Sequence, residues 1–263
     1  MISTRALPPF RGIMTVDTVG FSRNPSKVLP DLSAVIPDLL GQAFDRCGLS
    51  EIWTARSFAQ GTGDGYLFGV AHDHVPYLIH PLLDRLQQVL EEQDRLLRAQ
   101  DRELRLRLRV AVNLGTVPDG GDARDGIGTP TNDTFRLMDS VPIRQALKGS
   151  NPNVTLLAAI VSQRVFEDVV RAGYTGELHP DRFNPVTAEV PGKDFAQPAW
   201  LYVPKPSQPT AAVTTTAPTS PAAPESFPPA AAVSDTTING SVGNSISGGA
   251  ISGNVQQSGR TPS

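Results

Sequence analysis

Gly12-Ile13-Met14-Thr15-Val16-Asp17-Thr18-Val19 is the stretch on which the fold turns. Its β-branched residues, followed by Gly20, predict a strand over 12–19 closed by a turn. From Pro25 to Cys47, residues Val28, Leu32, Val35, Ile36, Leu39, Leu40 and Phe44 recur at helical spacing, and Gly48 closes the predicted helix. Two short strands are expected next, Ile52–Phe58 and Tyr66–Val70, and Gln60-Gly61-Thr62-Gly63-Asp64-Gly65 between them reads as a hairpin. A long helix is predicted from Tyr77 to Arg102, with Leu82, Leu86, Leu90 and Leu97 on one stripe and charges opposite. Leu104–Val112 alternates Leu and Arg and then becomes wholly apolar, as a strand entering a buried sheet does. The order β-α-β-β-α-β defines an α+β chain of ferredoxin-like arrangement.

Beyond this unit come a Gly/Asp-rich loop (Pro118–Thr131), a helix carrying Asn132 and Arg136, and a strand over Val154–Ile160. A helix over Ser162–Ala172 and a last short strand, Trp200–Val203, complete the expected elements. After Pro204 the composition changes to Pro, Ala and Thr, then to Gly, Ser and Asn. The expected organisation is a folded domain over 10–204, a disordered linker over 205–233 and a repeat tail over 234–260. A domain of roughly 200 residues can bury an apolar interior without staples. The net charge of -3 is too mild to imply a nucleic-acid partner. A single cysteine, Cys47, excludes an internal disulfide framework and fits a reducing cytosol. With no signal-like apolar run and no stretch long enough to span a bilayer, a soluble cytoplasmic protein without a membrane partner is expected.

Asp17 and Asp64 each fall at the edge of a predicted strand, and Asn132 and Arg136 stand four residues apart on one helical face. Two carboxylates that hold divalent cations, with a separately held Asn/Arg pair, are what metal-assisted phosphoryl transfer needs. Each residue has a plainer reading. Asp17 can be a turn former, Asp64 part of a type I′ hairpin, Asn132 an N-cap and Arg136 a solvated charge. His72, His74 and His80 cluster, but no Cys or Glu lies at zinc-site spacing.

These residues, in this order, resemble a known family. Val16-Asp17-Thr18-Val19-Gly20-Phe21-Ser22 is similar to the metal strand and phosphate loop of class III nucleotidyl cyclase catalytic domains. Gly63-Asp64-Gly65 resembles their second metal motif, and Leu108–Val117 the strand that enters their dimer arm. Asn132 to Arg136 resembles their transition-state helix, and Glu189-Val190-Pro191-Gly192-Lys193 the basic loop before their last strand. The resemblance covers about Phe10 to Pro204. It implies an α/β sandwich of the cyclase type and a nucleoside triphosphate substrate. It also implies two Mg²⁺ or Mn²⁺ ions per site, held by Asp17, Asp64 and the Thr18 carbonyl. Backbone N–H groups of Val19, Gly20, Phe21 and Ser22, with Lys193, would hold phosphates. Asn132 would orient the ribose and Arg136 would meet charge developing on phosphorus.

By the same resemblance Gln60 and Asp125 occupy the positions that read the base. Asp125 agrees with the adenine-reading pattern, whereas the Gln60 amide can donate or accept and selects no base; the substrate stays open, a pyrimidine nucleotide included. Family members place the carboxylates on one chain and the Asn/Arg pair on its neighbour, which implies a homodimer with two shared sites. The tail, with Ile238-Asn-Gly-Ser-Val-Gly-Asn and Ile251-Ser-Gly-Asn-Val-Gln-Gln, resembles the short amyloid-signalling motifs of bacterial immune proteins. That likeness implies a protein partner with a matching motif and an anti-phage pathway; the plainer reading is a flexible tail. Two functions therefore stand side by side: an active nucleotidyl cyclase, and a catalytically weak cyclase-fold adaptor or nucleotide sensor that signals through its tail.

Overall fold

A computed structural model describes residue 4 and residues 6–209 of the chain. The tail, and the linker beyond Pro209, lie outside the described residues. Seven strands form one sheet: β1 (Phe10–Thr18), β2 (Ser57–Gly61), β3 (Gly65–Ala71), β4 (Leu108–Thr116), β5 (Leu157–Ser162), β6 (Phe183–Glu189) and β7 (Ala196–Tyr202). Their order is β2-β3-β1-β4-β5-β7-β6. The first four are mutually antiparallel and, with their two helices, make the expected ferredoxin-like unit. β5 extends the sheet by pairing parallel to β4, and β7 and β6 close it as an antiparallel hairpin.

Strand alternation sorts the side chains onto two faces. Met14, Val16, Val110, Val112 and Phe68 face α1 (Leu29–Arg46) and α4 (Leu82–Gln100), whose buried stripes include Ile36, Leu40, Phe44, Leu82, Leu86 and Leu90. Ala111, Ala158 and Ile160 point the other way, under α5 (Thr129–Asp139) and α6 (Val141–Lys148). A parallel β4–β5 pair needs a long crossover, and that crossover contains α5 and α6. Gln87, buried on α4, ties the helix layer to the sheet: its Oε1 accepts from the Leu156 and Leu157 N–H groups, both at 3.0 Å.

Several expected elements differ. The strand expected over Ile52–Phe58 is a one-turn helix, α2 (Ser50–Thr54), and only then β2. The long helix is broken at His80-Pro81 into α3 (Val75–Ile79) and α4, because the residue before proline is driven out of the helical region. β4 starts at Leu108 rather than Leu104, and the first helix starts at Leu29 after two 3₁₀ turns. α6 and β6 were not expected. The helix after β5 is α7 (Gln163–Val165) continued by a π turn over Phe166–Val170. At the domain end, the Lys205 carbonyl accepts from Thr155 and the Ser207 hydroxyl from the Asn151 N–H, so packing continues into the expected linker. Among the described residues no helix is long and apolar enough to cross a membrane.

Candidate active site

Asp17 is the penultimate residue of β1 and is buried, on the face that α5 and α6 cover. In register it lies opposite Gly65 on β3 and Arg109 on β4. It is therefore a strand residue and not a turn former. The β2–β3 loop brings the second carboxylate: the Thr18 N–H donates to the Asp64 carbonyl at 2.9 Å, which holds the loop against the end of β1. That loop has three residues, Thr62, Gly63 and Asp64, and only Gly63 takes a positive φ, 91°. A type I′ turn needs two positive φ values, so turn geometry does not account for Asp64.

The electrostatics are those of two crowded carboxylates. Burial pushes the Asp17 carboxyl up to about 6; the Arg109 guanidinium opposes this, and the Asp64 carboxylate adds to it. Arg109 donates from Nη2 to Asp17 Oδ2. Its Nη1 donates to the Met138 carbonyl at 3.3 Å and stands 3.8 Å from Asp139 Oδ1. Asp139, the last residue of α5, also meets Arg144 at 2.8 Å and Lys193 at 3.7 Å. Neither Arg109 nor Asp139 was singled out by sequence: the Leu/Arg alternation reads as a half-exposed strand, and only the register places Arg109 opposite Asp17.

The donor set suits a hard divalent cation. Among the described residues no group of three or more His, Cys, Asp or Glu side chains is arranged to hold a metal. Mg²⁺, however, keeps several waters and is commonly held by one or two carboxylates plus substrate phosphates. Asp17 and Asp64 supply that number.

The phosphate loop departs from expectation. The Val19 N–H donates to the Arg107 carbonyl at 2.8 Å, which removes it from the proposed cradle. Gly20, at φ 68°, opens a single 3₁₀ turn over Phe21–Arg23 instead of the first α-helix. Gly20, Phe21 and Ser22 thus share a tight turn next to Asp17. Lys193 lies beyond Gly192 in the β6–β7 turn and reaches Asp139.

Asn132 and Arg136 share the outer face of α5. The helix starts at Thr129, so Asn132 is in its interior and is not an N-cap. Arg136 pairs with Asp133 at 3.1 Å and sits over the Phe195 ring at 5.6 Å. Among the described contacts neither residue is bonded to Asp17 or Asp64 within the chain; the partners of the Arg136 side chain lie on α5 and in the β6–β7 turn. Gln60 is exposed on the edge strand β2. Asp125 has a different occupation from the one expected: its carboxylate accepts from the N–H groups of Gly120, Gly121 and Asp122 at 2.8, 2.6 and 3.1 Å. It staples its own loop, which the sequence did not foretell. A cleft of about 650 Å³ opens elsewhere, lined by Phe10, Asn113, Gly115, Pro130, Asp133 and Gln163, and includes neither carboxylate.

No protein-family model matches the chain, and a search of curated proteins gives no match. Among solved structures, the chain is similar to the adenylyl cyclase CyaB from P. aeruginosa (14% identity, 74% of this chain and 93% of that chain, TM-score 0.48). It is also similar to the guanylyl cyclase Cya2 (13% identity, 76% of this chain and 92% of that one, TM-score 0.47). A third similar structure is of adenylate cyclases from Trypanosoma brucei in their monomeric state (12% identity, 73% and 88%, TM-score 0.46).

Proposed function

We propose that the chain is a nucleotidyl cyclase that converts a nucleoside triphosphate into a 3′,5′-cyclic nucleotide and pyrophosphate at sites shared between two copies. The observation that carries this reading is the docking of the β2–β3 loop, which bears Asp64, against the Asp17 end of β1, while Asn132 and Arg136 on the outer face of α5 bond neither carboxylate in their own chain.

The roles follow from chemistry and position. Asp17 and Asp64 hold divalent cations, with the Thr18 carbonyl as a further oxygen donor. When bound, Mg²⁺ or Mn²⁺ there lowers the pKa of the attacking hydroxyl and neutralises triphosphate charge. The ribose 3′-oxygen forms a bond to the α-phosphorus, the bond to the bridging oxygen of the β-phosphate breaks, and pyrophosphate leaves with the electron pair. The hydroxyl proton passes to water. Amides of Gly20, Phe21 and Ser22 orient phosphate oxygens, and Lys193 adds a mobile positive charge. Arg136 from the second copy stabilises charge on phosphorus, worth about 3 kcal/mol of barrier for one preorganised donor, and Asn132 positions the ribose. Base selection falls to Gln60 in this scheme; Asp125 would have to release loop N–H groups to take part.

Mixing tests the shared site. Asp17→Ala and Arg136→Ala chains, each inactive, should regain about a quarter of wild-type activity when mixed in equal amounts, since half the dimers carry one intact site. A mixture that stays inactive while both parents are folded and dimerise overturns the shared site.

Two observations favour a second reading. Arg109 engages Asp17, and Asp125 is committed to its loop, as suits a catalytically weak module that senses nucleotide and signals through its tail. Nucleotide binding without pyrophosphate release by the purified dimer identifies that case.

A further inference from the structure

Arg109 lies between two carboxylates, hydrogen-bonded to Asp17 through Nη2, with Nη1 3.8 Å from Asp139 Oδ1. Its side chain is 14% exposed, and its Nε is buried with no hydrogen-bond partner. A guanidinium is a rigid five-donor fork, and this fork is incompletely matched where it stands. Asp17 lies near the Asp64 carboxylate, and Arg109 places positive charge against it. The oxygen that Arg109 takes belongs to the group that would hold a divalent cation.

We propose that Arg109 is an internal counter-ion that competes with divalent cations for Asp17, and that its transfer from Asp17 to Asp139 opens the carboxylate pair to them. This rests on the reading of Asp17 and Asp64 as cation ligands. Asp139 is within reach, on the far side of the same guanidinium. It ends α5, so the acceptor that draws Arg109 away is carried by the helix that bears Asn132 and Arg136. Arg144 and Lys193 also bond Asp139 and compete with Arg109 for it, which keeps the exchange balanced. Arg109 acts here as a positioning residue.

Mn²⁺ titration of the nucleotide-free full chain, followed by the spin-resonance signal of the free ion, separates the possibilities. Arg109→Gln should bind Mn²⁺ about tenfold more tightly than wild type, the scale on which a charge at this range acts on a carboxylate. Asp139→Asn, at a half-exposed position, should bind severalfold more weakly, because Arg109 then has only Asp17. Asp17→Asn should bind least. A purely structural role for Arg109 would loosen binding in Arg109→Gln, the opposite sign. Binding lost in Asp17→Asn but not tightened in Arg109→Gln and not weakened in Asp139→Asn overturns the counter-ion role and leaves the ligand reading standing. No binding by any variant, Arg109→Gln included, overturns both.

Discussion

Gly65→Ala should damage the chain far more than its size suggests. Gly65 opens β3 directly opposite Asp17. A methyl group there would lie 2.1 Å from the Val16 carbonyl oxygen and 2.9 Å from the Thr62 hydroxyl. The first of these is backbone in a central strand and cannot rotate away, so the β1–β3 ladder must open at the site. Overpacking of this kind costs about 1–3 kcal/mol, and the rigid neighbour argues for about 3. Loss of glycine freedom in the unfolded chain returns about 0.5 kcal/mol, leaving about 2.5 kcal/mol net. Gly61→Ala is the internal control: it sits in the same hairpin with nothing within 4 Å of the added methyl, and its φ is not positive. It should be neutral or stabilise by about 0.5 kcal/mol. With a urea slope of about 2 kcal/mol/M, the two midpoints should differ by about 1.5 M. Urea unfolding followed by the fluorescence of Trp53 and Trp200 reads both variants. Coincident midpoints would refute the placement of Gly65 against β1, and with it the register that sets Asp17 beside Asp64.

Two further outcomes follow from the same geometry and from the tail. The Asp17 carboxyl is raised from 3.8 to about 6, so the folded chain binds its proton more tightly than the unfolded chain does. Stability of metal-free protein should therefore fall as pH rises from about 4 to about 6, by up to about 3 kcal/mol. The urea midpoint of wild type minus that of Asp17→Asn, taken across this window, reads the effect, and a difference that grows with pH contradicts it. A peptide covering residues 236–260 should form fibrils that bind thioflavin; one that stays monomeric at high concentration removes the amyloid reading of the tail.

Much of the fold is legible in local pattern. β1, the hairpin partner β3, and the stripes of α1 and α4 follow from β-branched runs and helical spacing, and all lie in the layers expected of them. The misses have physical causes. Ile52-Trp53-Thr54 has strand composition, yet Trp53 stacks on Phe44 at 5.3 Å and carries Arg56 over its ring at 4.0 Å, so packing overrides propensity. β6 contains Pro185, which argues against a strand until β6 is seen to be the sheet edge, where proline is tolerated. α6 is short and follows α5 after Ser140 alone, which leaves no loop to announce it. In the site, the types and order of Asp17, Asp64, Asn132 and Arg136 are visible in one dimension. The Arg109 bridge to Asp17 and Asp139 is not, because it depends on strand register and on where α5 ends. The same holds for Asp125, whose three N–H partners lie in a loop without periodicity.

Pyrophosphate and cyclic nucleotide, quantified together after incubating purified chain with each of the four nucleoside triphosphates and Mn²⁺, test the central claim most directly. The account predicts that at least one nucleotide yields the two products in equal amounts. Asp17→Asn and Asp64→Asn should each lower that yield by about 100-fold or more. Pyrophosphate absent with every nucleotide, or released undiminished by both variants, would contradict it.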